Sequence, residues 1–115
     1  MSRHEPSVRL RHMLKAAKQA VAMAEGKRVD DLRADAALGL ALERLIEIVG
    51  EAASWLPEEL RARHPVIPWR DIKDMRNRLI HGYDTIDVAL VWNTVTEDLP
   101  PLVAALEAIL QEQAP

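Results

Sequence analysis

Most of the chemistry that this chain can offer lies between Arg70 and Tyr83, in the run Arg70-Asp71-Ile72-Lys73-Asp74-Met75-Arg76-Asn77-Arg78-Leu79-Ile80-His81-Gly82-Tyr83. From Pro68 to Tyr83, four Lys/Arg stand against two Asp, a local balance of +2 in a chain of net charge −3. Cationic groups are therefore concentrated in one stretch of an acidic protein. If the stretch is helical, Asn77 and His81 are four apart and share a face, and Arg78 lies three before His81. Arg76 and His81 are five apart and diverge by about 140° around the axis. They meet on one ligand only where the helix edge borders a cleft or a partner. His81 falls in the last turn, where the negative helix end favours imidazolium. Gly82 then turns the chain and brings the Tyr83 phenol to the same mouth.

A guanidinium, an amide, an imidazole and a phenol at one helix end suit two tasks, phosphate recognition and acid–base work. The same residues also fit a plainer arrangement. A histidine at a helix C-terminus satisfies free carbonyls, Arg76 and Arg78 serve as solvated charges, and Tyr83 packs on neighbouring helices. Residue types alone leave both readings open.

The elements that must position this stretch are helices. Ala and Leu dominate the apolar set, Phe is absent and Tyr occurs once, so strand-filling residues are sparse and helix formers abundant. Leu10, Met13, Leu14, Ala17 and Val21 form one stripe, predicting a first helix from about Ser7, as N-cap, to Glu25, stopped by Gly26. A polar connector follows, with room for a short turn started by Asp30. A second long helix is expected from about Arg33 to Leu56. Gly39 and Gly50 inside it each cost about 1 kcal/mol relative to Ala, which points to close approach of another helix. Pro57 to His64 reads as a short helix with Pro57 at its first position. The motif helix starts near Pro68 and ends at Gly82. A last helix, capped by Asp87 or Thr85, carries Val88, Val91, Trp92, Val95, Leu99, Leu102, Leu106, Ile109 and Leu110. Its unbroken phase across Pro100-Pro101 predicts a kinked helix or two nearly coaxial ones. Residues 1–5 and 112–115 are expected to fray. The result is an all-α bundle of four main helices plus a short one, in a single domain over residues 1–115.

Composition narrows the function further. With 49% hydrophobic and 29% charged residues the chain has the make-up of a globular protein. The absence of cysteine removes thiolate metal sites, thiol nucleophiles and redox chemistry. No apolar run reaches 18 residues and the first residues lack a signal-peptide core, so a soluble cytoplasmic protein without membrane contact is expected. His4, His12 and His64 have no metal-ligand spacing, and His12 reads as a surface residue. There is no Gly-rich phosphate loop, and no cofactor is expected. Glu47 and Glu51, four apart, read as partners for arginines, orienting Arg76 or Arg78. Trp55, Trp69 and Trp92 read as core or interface anchors.

Arg76, four residues, His81, one residue, Tyr83 resembles the Arg-X4-His-X-Tyr motif of HEPN-domain proteins in their HepT-like branch. Glu47-Ile48-Val49-Gly50-Glu51-Ala52-Ala53 resembles the second-helix signature of that branch. His64-Pro65-Val66-Ile67-Pro68-Trp69 resembles its connector before the motif, and Asp87 to Trp92 with Asp98-Leu99-Pro100-Pro101-Leu102 its last helix. The resemblance runs from about residue 7 to residue 111. It implies a small bundle that dimerises with motif helices facing each other, and a metal-independent ribonuclease acting as the toxin of a two-gene toxin–antitoxin module. The implied partner is a minimal nucleotidyltransferase that silences the toxin by transferring AMP to the motif tyrosine. Arg76 and His81 would be the catalytic pair on RNA, Asn77 and Arg78 supporting residues, and Tyr83, the only tyrosine, the modification target. The sequence leaves open whether the homodimer pairs further into a larger assembly with its partner. The alternative is a non-catalytic module whose Arg/His face binds nucleotide, RNA or the nucleotidyltransferase.

Overall fold

The computed structural model describes residues 5–82 and 86–113, and every element in them is helical. Tyr83 and Thr85 lie outside the described residues, so the expectations placed on them are not addressed structurally. The first helix, α1 (Pro6–Ala24), starts at the residue after Glu5. Pro6 occupies the first turn in place of the expected Ser7 cap, because its missing N–H is no loss there and its φ is already helical. Gly26, at φ 75°, ends it in a conformation that L side chains avoid.

The short turn expected around Asp30 is a helix, α2 (Val29–Ala34), whose Asp31 carboxylate accepts from the Arg28 N–H at 2.7 Å, and the long helix expected from about Arg33 starts only after Asp35. Asp35 then breaks the run, accepts from the Leu38 N–H at 3.2 Å and caps α3 (Ala36–Ser54). Pro57 is the N-cap of α4 (Glu58–Arg63), one residue earlier than its expected place inside the helix. Pro68 likewise precedes α5 (Trp69–His81), the motif helix, which ends at Gly82 as expected. Trp69, half-buried, donates its indole N–H to the carbonyls of Arg61 and His64, both at 3.1 Å, and so closes the end of α4.

Asp87 caps α6 (Val88–Asn93) through the Leu90 N–H at 3.1 Å. A π-helical turn, Thr94–Asp98, joins α6 directly to α7 (Leu99–Gln113). The widened turn sits just ahead of Pro100-Pro101, where two donors are missing and two rings need room beside the preceding carbonyls. The helical phase thus runs on through the prolines, and residues 112 and 113, expected to fray, continue α7.

The core is aliphatic. Leu10, Met13, Ala17, Leu42, Val91 and Leu106 are fully buried. Helix α1 packs along both α3 and α7, and α5 lies along α3. Gly50 near the end of α3 meets Ile72 and Arg76 of α5, while Gly39 near its start meets Ile86, so the two helices run antiparallel. Among the described residues no helix is long and apolar enough to cross a membrane.

Candidate functional site

The face that α3 turns toward the motif helix carries Glu43, Glu47, Gly50 and Glu51, spaced four, three and one apart on one side. Gly50 lets α5 come within side-chain-stem distance. A Cβ there would overlap Arg76 Cβ and stand 2.8 Å from Arg76 Cγ. The expected reason for this glycine, close approach of a neighbouring helix, is the observed one.

With its stem lodged over Gly50, the Arg76 guanidinium reaches Glu51. Nη2 donates to Glu51 Oε2 at 2.5 Å, and Nη1 donates to Asn77 Oδ1 at 3.4 Å. The Arg76 side chain keeps 28% exposure, the Glu51 side chain 50%. Arg76 Nε is buried and has no hydrogen-bond partner among the described residues. Of the two glutamates expected to meet an arginine of the motif helix, Glu51 does so. Glu47 instead lies 3.8 Å from Arg44 on its own helix. Arg78 turns away from this site and stands 3.8 Å from Asp87, at the start of α6.

His81 is exposed in the last turn of α5. Its side chain makes no hydrogen bond or ion pair among the described residues. Asn77, on the same face, is half-buried. The structure therefore places Arg76 and Asn77 together through a hydrogen bond, with His81 open to solvent at the end of the same helix. Tyr83 lies outside the described residues.

Two neighbours of the site gave little signal in the sequence. Trp55, read as a core or interface anchor, is 52% exposed at the end of α3. Its indole Nε1–H donates to Glu51 Oε1 at 3.3 Å. The Arg9 guanidinium sits over its ring, 5.1 Å from the centroid. This excludes the core half of that reading for a physical reason: four residues after Glu51 on a helix, Trp55 stands on the same side as the carboxylate and not on the core side. Glu43 is the second. It is buried at 9% exposure, and its carboxyl lies above the ordinary value of 4.5, first because burial disfavours the charge and then because Glu47 adds its own.

A cavity of about 350 Å³ lies on the other flank of α5, between Ile46, Val49, Ile72, Met75, Leu99 and Leu102. It is apolar, and Arg76, Asn77, Arg78 and His81 are not in its wall. Among the described residues no cluster of three or more His, Asp or Glu is placed to hold a metal ion.

The sequence profile of the family described as "Ribonuclease HepT-like" matches residues 13–109. The chain is 33% identical over 108 residues to a protein of Caldanaerobacter subterraneus subsp. tengcongensis named "Putative RNase", covering 94% of this chain and 96% of that one. It is 40% identical over 80 residues to the "Probable ribonuclease HepT" of Thermococcus cleftensis, covering 70% and 73%. A "Gamma-glutamylcyclotransferase and putative RNase" of Methanocaldococcus jannaschii is 34% identical over 110 residues, which are 96% of this chain and 50% of that protein. No solved structure matches the chain.

Proposed function

The chain belongs to the HepT-like ribonuclease family, and from that premise we propose that it is a metal-independent endoribonuclease, the toxin of a toxin–antitoxin pair, with Arg76 and His81 as its catalytic residues. RNA brings its own nucleophile. Attack of the 2′-oxygen on phosphorus forms the O2′–P bond and breaks the P–O5′ bond. The products are a 2′,3′-cyclic phosphate and a 5′-hydroxyl. One proton must leave the 2′-oxygen and one must reach the 5′-oxygen, work suited to imidazole near neutral pH. A fixed guanidinium stabilises the charge that gathers on the phosphoryl oxygens.

The observation that carries this reading is the anchored Arg76. Its stem over Gly50 and its bond to Glu51 hold a cation in place on the helix whose end presents an exposed His81. Pre-positioned charge is what accelerates phosphoryl chemistry most. One chain supplies one such histidine. A two-fold homodimer through the motif helices would bring a second His81 across one groove, giving an acid and a base. A dimer with the two His81 side chains on opposite faces would overturn this part.

We further propose that the activity is silenced by a cognate minimal nucleotidyltransferase. The Tyr83 phenolate oxygen attacks the α-phosphorus of ATP and pyrophosphate leaves. The added AMP places a phosphodiester and a nucleoside beside the motif, where they block RNA. With one tyrosine in the chain, intact mass rises in AMP-sized steps in the wild type and stays unchanged in Tyr83→Phe.

The deciding experiment is RNA cleavage in EDTA by unmodified protein, wild type against His81→Ala. Cleavage that persists in EDTA, leaves cyclic phosphate ends and disappears in the variant is expected. A folded, unmodified wild-type protein that cuts none of several RNAs would move the assignment to a non-catalytic binding module.

A further inference from the structure

A guanidinium has five N–H groups, one on Nε and two on each terminal nitrogen. In Arg76, Nε is buried, one Nη2 donor goes to Glu51 and one Nη1 donor to Asn77. Among the described residues one N–H on each terminal nitrogen is left, the number a phosphodiester needs for a two-point contact. This outcome is not automatic, because carboxylates commonly take both terminal nitrogens of an arginine in a fork. A forked Glu51 together with Asn77 would leave a single N–H.

Trp55 works against the fork. Its indole N–H donates to Glu51 Oε1 while Arg76 Nη2 donates to Oε2, so the two contacts draw the carboxylate's oxygens toward different partners. The Trp55 ring is itself held under the Arg9 guanidinium of α1. We propose that Glu51 is a positioning residue for Arg76, and that Trp55 sets how much of Arg76 remains for RNA by keeping the Glu51 contact to one oxygen. This inference rests on the ribonuclease reading for its consequence in catalysis. The clamp itself is measurable without cleavage.

The two residues have separable effects. Removing the carboxylate frees the guanidinium to swing away from the phosphorus. Removing only the indole N–H leaves Arg76 anchored but lets Glu51 take a second donor from it. Glu51→Ala should therefore lower kcat by about 10- to 100-fold, the range for a misplaced catalytic group. Glu51→Gln keeps one acceptor and should recover part of that loss. Trp55→Phe should raise KM by about tenfold, the value of one charge-assisted hydrogen bond, with kcat little changed.

The test measures kcat and KM on an RNA oligonucleotide for these variants, with melting temperature and the side-chain nitrogen NMR signals of Arg76. In the wild type, rotation about the Arg76 Nε–Cζ bond should be slow. It should become fast in Glu51→Ala and stay slow in Trp55→Phe. Fast rotation in the wild type would overturn the clamp. So would a Glu51→Ala protein with wild-type kcat, or a loss that follows melting temperature alone and is not recovered by Gln. Trp55→Phe with unchanged KM would overturn the role given to Trp55. A wild type with slow rotation that cuts no RNA keeps the clamp and overturns both its catalytic consequence and the ribonuclease reading. A wild type that cuts RNA with fast rotation overturns the clamp alone.

Discussion

The Cα of Gly50 lies against the stem of Arg76, so close that a single added methyl would overlap Arg76 Cβ. Two opposing effects decide the outcome of Gly50→Ala. Alanine favours the helix by about 1 kcal/mol, whereas forcing a methyl into filled space costs about 1–3 kcal/mol. The obstacle is the root of a side chain on a packed helix, which cannot swing aside as a flexible tip would. The cost therefore lies in the upper half of that range, and Gly50→Ala should lose about 1–2 kcal/mol net and lower RNA cleavage as Arg76 is displaced. A denaturation midpoint at or above that of the wild type would refute it.

Arg76→Lys keeps a positive charge at the site and loses the planar donor set. An ammonium can meet Glu51, but it cannot also keep two parallel donors for a phosphodiester. Activity should fall at least about tenfold, while the melting temperature stays near the wild-type value because the Arg76–Glu51 pair is partly solvated. Cleavage rates and a thermal melt on the same samples check this.

Asp87 acts on two sides. Its carboxylate caps α6 through the Leu90 N–H and stands 3.8 Å from Arg78. Exposed ion pairs at that distance contribute little, while an N-cap contributes about 1 kcal/mol. Asp87→Ala should therefore cost about 1 kcal/mol, and Asp87→Asn, which keeps the capping oxygen, almost nothing. Equal losses in the two variants would mean that the charge and not the cap matters. Urea denaturation separates the cases.

Glu43 gives a pH dependence. Burial, then the charge of Glu47, raises its folded value above 4.5. The folded state thus holds this proton more tightly than the unfolded chain does. The stability from this group is fully present below the unfolded value and is lost as pH rises through the folded one. Glu43→Gln should raise the melting temperature at pH 7 by about 2–5 °C, with the gain shrinking toward pH 4. A gain that grows on acidification would contradict the sign.

The helical periodicity of the sequence identified the core faces of α1 and α3 because burial on a helix repeats every three to four residues. Leu10, Met13, Ala17, Leu38, Leu42, Ile46 and Val49 are all buried. Asp35 was not legible as a break, since the alanines around it satisfy helix propensity on either side. The π turn was also hidden. One extra residue in a turn shifts the apolar phase by less than the width of the stripe. In the site, the spacing of Arg76 and Glu51 in the sequence carries no sign of their meeting. It became an expectation only because two glutamates four apart on an apolar helix need cationic partners. Trp55 escaped because an aromatic side chain suggests burial by default, and its position relative to Glu51 settles the matter only once the helix phase is known.

The motif helix lies along α3, with an apolar cavity on its other flank. Helix α3 is thus its template, while α1 and α7 meet each other elsewhere in the bundle. Substitutions in the α1–α7 seam adjust how long the fold endures, and those on the glutamate-bearing face of α3 adjust where the guanidinium stands. A lineage can thus strengthen the α1–α7 seam and leave the guanidinium where it stands, whereas a change at Gly50 alters alignment and durability together.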